Sequence, residues 1–284
     1  MQDEKCANLD ELKKQIMSDI QSKIHEIYTQ SEIKYNAKEK SDRTVLDFFA
    51  LLNKLIPARK RKVHFSDSLR NSSHLTTLKK YEEYFNNGEN MNPYLSEKAM
   101  LIKQLDYLQL NWHIYHLHFN PNMSKKRSSL LLLCIVNQDD VFFVDIINHP
   151  TRYTPEEFLK LDYLKIIHRN GWMKEIGFAG LKGITLQNPI TDSKDIFKLY
   201  TSGVNITFEF EGECFSQMDT ITMSKHTYTM VNQLDKIKEN INRLALCTLR
   251  YVGFNFQCDS EGRLYGFATY LNYDNKIKRY NILI

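Results

Sequence analysis

The sequence predicts an α+β protein. A helical N-terminal region leads into a mixed, mainly antiparallel sheet core, and a C-terminal helix plus a three-stranded meander follows. Three observations carry this. Leu9, Leu12, Ile16, Ile20, Ile24 and Ile27 recur at three- and four-residue steps, the period of one helix face. Residues 130–136 and 141–147 are apolar runs of strand length, joined by the polar Asn137-Gln138-Asp139-Asp140 of a hairpin. Residues 250–257, 264–272 and 277–284 alternate with polar turns containing Asp259-Ser260-Glu261-Gly262 and Asp274-Asn275.

After the first helix, the polar stretch 32–42 reads as a loop. Asp42 caps a second helix carrying Val45, Phe48, Phe49, Leu52 and Leu55, which Pro57 ends. A third helix over 75–85 closes at Asn87-Gly88, where glycine suits the left-handed cap. A fourth is expected over 96–108 behind Pro93, then a strand over 112–119. The run 130–136 is apolar on both faces, as a central, doubly covered strand would be. Thr154-Pro155-Glu156-Glu157 combines an N-cap, a first-turn proline and a capping-box glutamate. Phe158, Leu161, Leu164 and Ile167 follow as that helix's buried stripe, with Gly171 at its end. Residues 204–210 alternate as a strand, Glu211-Gly212 turns, and 213–215 returns. A last helix over 227–246 turns Val231, Leu234, Ile237, Ile241 and Leu244 inward and offers cover for the meander. The chain divides on this reading into 1–93, 94–176 and 177–284.

Composition narrows the function classes. Hydrophobic residues make up 42% of 284 and charged residues 25%, with only 10 Gly and 6 Pro, which excludes collagen-like, mucin-like and broadly disordered chains. Five cysteines without a C-x-x-C pair argue against zinc ribbons and thioredoxin chemistry. Cys134 and Cys247 read as small core residues. The polar start lacks the apolar core of a signal peptide, and the longest apolar run, 130–136, is too short to span a bilayer. A reducing cytoplasm and no membrane are expected. Phosphate-loop, dinucleotide, nucleophile-elbow and His-Glu-x-x-His motifs are missing, so no cofactor is expected.

The net charge is +4, a small sum over uneven clusters. Between Lys54 and Lys80 stand eight Lys/Arg, among them Arg59, Lys60, Arg61 and Lys62, against the single acid Asp67. This is either a solvated face or a nucleic-acid contact surface. A second cluster is Lys125, Lys126 and Arg127.

That second cluster follows three histidines in six residues, His113, His116 and His118, in the run Trp112-His113-Ile114-Tyr115-His116-Leu117-His118-Phe119. On a strand, Trp112, Ile114, His116 and His118 share one face, and the two later histidines stand about 7 Å apart. Two imidazoles at that spacing can divide acid and base roles or share a metal. A basic loop beside them suits phosphate, because Arg and Lys stabilise developing anionic charge. Asp145 and His149 lie near the next strand's end and complete either arrangement if the strands are neighbours. Packed, hydrogen-bonded histidines without catalysis are the plain alternative. His25, His64, His74 and His226 read as surface residues.

Asn92-Pro93-Tyr94-Leu95-Ser96, Asp106-Tyr107-Leu108, the histidine run, Arg127-Ser128 and Leu130-Leu131, with Ser202-Gly203-Val204-Asn205 further on, resemble a poorly characterised bacterial family. His116 and His118 match its histidines. Tyr115 stands where that family commonly has a third. The strand-loop-strand with His and Arg is also similar in chemistry to toxin ribonucleases of the RelE and barnase type.

The expected function is metal-independent RNA cleavage of a toxin or phage-defence kind. His116 and His118 serve as acid and base, Arg127 supports the phosphate and His149 assists. Lys125, Lys126, Arg59, Lys60, Arg61 and Lys62 contact nucleic acid. RNA is the expected partner, with an antitoxin or other regulatory protein beside it. The alternatives are a non-enzymatic nucleic-acid or protein-binding module and a metal-dependent hydrolase with a His-x-His site.

Overall fold

The structure is a computed structural model that describes residues 2–31, 33, 35, 41–96, 99, 101–102, 106–121, 128–149, 158–219, 222, 226–258, 264–272, 274 and 276–283. It is an α+β fold. In chain order the first elements are α1 (Gln2–Gln30), α2 (Asp42–Lys54), β1 (Lys62–Phe65) and α3 (Leu75–Asn87). Then come α4 (Tyr107–Trp112), β2 (Ile114–His118), β3 (Leu130–Val136), β4 (Asp140–Asn148) and α5 (Leu161–Arg169). The last are β5 (Phe178–Leu181), α6 (Ser193–Thr201), β6 (Thr207–Phe210), β7 (Glu213–Gln217), α7 (Tyr228–Cys247), β8 (Thr248–Cys258), β9 (Leu264–Asn272) and β10 (Ile277–Leu283).

Contacts gather these into two compact units, each discontinuous in sequence. The first comprises Met1–Asn53, Leu101–Lys103 and Thr229–Ile284. Its meander is antiparallel in the order β10-β9-β8. The α1 stripe is fully buried at Ile16, Ile20 and Ile24. Tyr251 on β8 donates to Asp19 on α1 at 2.8 Å, and Phe48 on α2 meets Phe256 at 5.7 Å between ring centres. Cover for the sheet therefore comes from the N-terminal helices as well as from α7, whose Asn240 Nδ2 donates to the Ile282 carbonyl at 3.2 Å.

The second unit, Lys54–Met100 and Gln104–Tyr228, holds a four-stranded sheet in the order β1-β4-β3-β2. Only β1 runs parallel to its neighbour. β3 is interior, and Leu131 to Ile135 are all fully buried. Leu131, Leu133 and Ile135 face one core with Ile114, Val144, α5 and α6. Leu132 and Cys134 face another with Val141, Phe143 and α3. Alternation thus supplies apolar side chains to both faces of one strand, as the unbroken run predicts. A three-stranded sheet, β5-β7-β6, closes the first of these cores.

Several expectations change. Of the helix expected over 96–108, residues 97–98, 100 and 103–105 lie outside the described residues; α4 begins at Tyr107, and a 3-10 turn stands at Asn92–Tyr94. Trp112 ends that helix instead of opening the strand. His113 takes the left-handed cap, φ 53°, and β2 starts one residue later. Thr154–Glu157 lies outside the described residues, and α5 begins at Leu161. The strand expected from 204 begins at Thr207, and β1, β5 and α6 were not anticipated. Glu211 and Gly212 both have positive φ, 52° and 82°, which matches a two-residue hairpin turn. Among the described residues no helix is long and apolar enough to cross a membrane.

Candidate active site

Asp106 places the site. One carboxylate oxygen, Oδ1, accepts from the Leu108 and Gln109 backbone N–H groups at 3.1 and 3.2 Å, capping α4. The helix is held at its far end by Trp112, fully buried, whose indole N–H donates to the Tyr200 hydroxyl at 2.9 Å. The left-handed turn at His113 then throws the chain into β2. The other Asp106 oxygen, Oδ2, stands 3.3 Å from His116 Nδ1. This is an ion-pair distance without hydrogen-bond alignment, since Nδ1 is buried and makes no hydrogen bond.

Strand register sets the rest. His116 pairs with Leu133, which pairs with Asp145; His118 pairs with Leu131, which pairs with Ile147. Residues directly opposite across antiparallel strands share a face. His116, His118 and Asp145 therefore lie on the same face, at the end of the sheet where β2 and β4 finish. A bulge between Leu133 and Cys134 shifts the register and lets both Val144 and Asp145 serve this side. The His116 and His118 ring centres are 6.4 Å apart, and His118 and His149 are 5.4 Å apart. Phe158 packs on His116 at 5.4 Å. The backbone N–H of His149 donates to the Ser129 carbonyl at 2.6 Å.

The cluster is largely enclosed. His118 is 6% exposed, the His116 side chain 17% and that of Asp106 30%. Burial raises the Asp145 carboxyl above the usual carboxylate range, opposed by the bond it accepts from the Ile146 N–H at 2.9 Å. Tyr115, at the family's third histidine position, faces the other core, where burial pushes its hydroxyl up to about 12.

The structure brings together His116, His118 and His149, as the sequence reading requires. Lys125, Lys126 and Arg127 lie outside the described residues. The other basic run is elsewhere. Lys62 pairs with Asp140 at the beginning of β4, whereas His149 follows its end. Nine residues of β4 separate them, a distance of roughly 25–30 Å along the strand. Lys60 and Lys62 are exposed, and half-buried Arg59 stands 3.7 Å from Asp139. Arg61 is corrected: it is 5% exposed, and its guanidinium donates to the carbonyls of Asn137, Pro57 and Arg59. It clasps the backbone instead of facing a partner, and burial lowers its pKa.

His226 is also corrected, being 5% exposed. His64 is half-buried, bound to Asp140 at 2.7 Å and stacked on Phe142. Asp106 and Phe158 were missed as site residues. Asp106 had a readable signal as a cap six residues ahead of Trp112. Phe158 had none, because its approach to His116 depends on tertiary packing.

Among the described residues no three His, Cys, Asp or Glu side chains gather at metal-ligand spacing. The site belongs to an α+β protein with a carboxylate-linked histidine cluster at one end of a doubly covered sheet. No family model matches the chain, and no match is found among curated proteins or solved structures.

Proposed function

We propose that the histidine cluster cleaves RNA without a metal, in the manner of a toxin or phage-defence endoribonuclease. The observation that carries this reading is the Asp106–His116 pair at 3.3 Å beside a second imidazole, His118, at 6.4 Å between ring centres. The Asp106 carboxylate charge 3.3 Å from Nδ1, though not aligned as a hydrogen bond, favours the proton there and leaves Nε2 of His116 as the proton-accepting atom. It takes the proton of a ribose 2′-hydroxyl, the 2′-oxygen attacks phosphorus, and the 5′-oxygen leaves. His118, backed by His149, gives the leaving oxygen its proton, so the products are a 2′,3′-cyclic phosphate and a 5′-hydroxyl. Arg127 is assigned the phosphate charge, and Lys125 and Lys126 the backbone, on sequence grounds. The Arg59–Lys62 run is not part of this site. An antitoxin or other regulatory protein remains part of the proposal.

Purified protein should cleave RNA in EDTA and leave cyclic-phosphate ends, and His116→Ala or His118→Ala should abolish this. Intact RNA, or full activity in both variants, overturns it. The 6% exposure of His118 favours a second reading, in which the cluster is a polar seam that closes the end of the sheet. On that reading the same substitutions lower the melting temperature and the wild-type protein leaves RNA intact.

A further inference from the structure

The first unit carries a surface that the histidine chemistry does not use. In the meander, Gln257 pairs with Tyr265; Asn255 pairs with Phe267, which pairs with Asn281; Gly253 pairs with Thr269, which pairs with Arg279. These residues share one face of the sheet. The intervening residues Phe254, Ala268 and Ile282 are buried on the other face. Alternation has thus sorted the sheet into a packed side and an open side. Asn255, Gln257, Arg279 and Asn281 are exposed on the open side, with Tyr265 and Phe267 half-buried between them.

The chemistry of the open side is specific. Tyr265 and Phe267 stand two residues apart on the central strand, so their side chains leave neighbouring positions of one sheet face. The Arg279 guanidinium lies over the Phe267 ring at 4.8 Å, which extends the aromatic platform with a cationic plane. Gln257, Tyr265, Phe267, Arg279, Asn281 and Cys258 line a shallow cavity of about 270 Å³. Gly253 has no heavy atom within 4 Å of where a side chain would start, so that end of the face is open. Arg279 is thus the cation of this face, while Lys278, paired with Tyr270, alternates to the other side. The paired positions 253, 255, 257, 265, 267, 269, 279 and 281 include no acid.

We infer that this face binds single-stranded nucleic acid. Unpaired bases stack on Tyr265 and Phe267, the amides of Asn255, Gln257 and Asn281 meet base edges, and the Arg279 guanidinium extends the stack and meets the phosphate charge. A duplex, whose bases are already stacked, cannot use the platform. The inference does not depend on the histidine reading, because a strand can be held here whether or not it is cut in the other unit.

The test uses the full-length chain and a fluorescein-labelled 12-nucleotide 2′-O-methyl uridine strand, which lacks the hydroxyl needed for cleavage. Fluorescence anisotropy at low salt should show binding that weakens as salt rises. Phe267→Ala and Arg279→Ala should each weaken it about tenfold, and Phe267→Trp should retain it. A blunt duplex of equal length should bind at least tenfold more weakly. Circular dichroism confirms that each variant is folded. Absence of binding by the unaltered protein, wild-type affinity in folded Phe267→Ala and Arg279→Ala, or equal affinity for the duplex overturns the inference.

Discussion

Asp106 serves two partners at once, with one oxygen on the N-terminus of α4 and the other toward His116. The roles can be separated. Asparagine caps a helix about as well as aspartate, so Asp106→Asn should leave stability within about 0.5 kcal/mol while lowering RNA cleavage. Asp106→Ala should cost about 1 kcal/mol in chemical denaturation as well. Arg61 makes a second contrast. Its loss leaves three carbonyls short of a donor, so Arg61→Ala should destabilise by roughly 2–3 kcal/mol, while exposed Lys60→Ala should fall within about 0.5 kcal/mol. Asp145 adds a pH effect. Its folded pKa is raised by burial, so its contribution to stability is greatest in acid and is lost as pH rises through the folded pKa. Asp145→Asn should therefore be more stable than wild type at pH 7, and the difference should fade toward pH 3. A variant less stable at pH 7 would contradict the assignment of burial as the dominant cause.

Elements were legible where one local rule dominated. The α1 stripe, the β3–β4 hairpin and the meander each follow an unmistakable period, and the structure has all three. The segment around residues 96–113 was not legible in this way. There a cap at Asp106, a buried Trp112 and a left-handed His113 bound the six residues of α4. The short β1 and β5 owe their pairing to partners far along the chain. The histidine pair was readable because alternation on a strand fixes it. The nearness of His149 became certain only with the register of β4, and Phe158 was invisible. Gly88 tests the cap at the end of α3. Its φ is 79°, and a side chain there would meet the Lys60 nitrogen at 2.8 Å and the Arg59 carbonyl carbon at 2.9 Å. Gly88→Ala should cost roughly 2–3 kcal/mol by thermal denaturation, more than the 1–2 kcal/mol of the left-handed backbone alone. A cost below about 1 kcal/mol would mean that the cap relaxes.

At the scale of the molecule, the N-terminal helices and the C-terminal meander belong to one compact unit, although 193 residues lie between α2 and β8. No periodicity reveals such a return. Removing residues 229–284 should strip cover from Ile16, Ile20 and Ile24, and limited proteolysis should then cut within α1 at sites protected in the full chain. Unchanged protection would show that α1 and α2 hold without the meander.

The central claim concerns the histidine cluster of the second unit. It is tested most directly by incubating a labelled RNA with wild-type, His116→Ala and Asp106→Asn proteins in EDTA. The account predicts cleavage to cyclic-phosphate ends by wild type, none by His116→Ala, and a rate reduced at least tenfold in Asp106→Asn at unchanged melting temperature. Intact RNA with wild-type protein, or equal cleavage by all three, contradicts it.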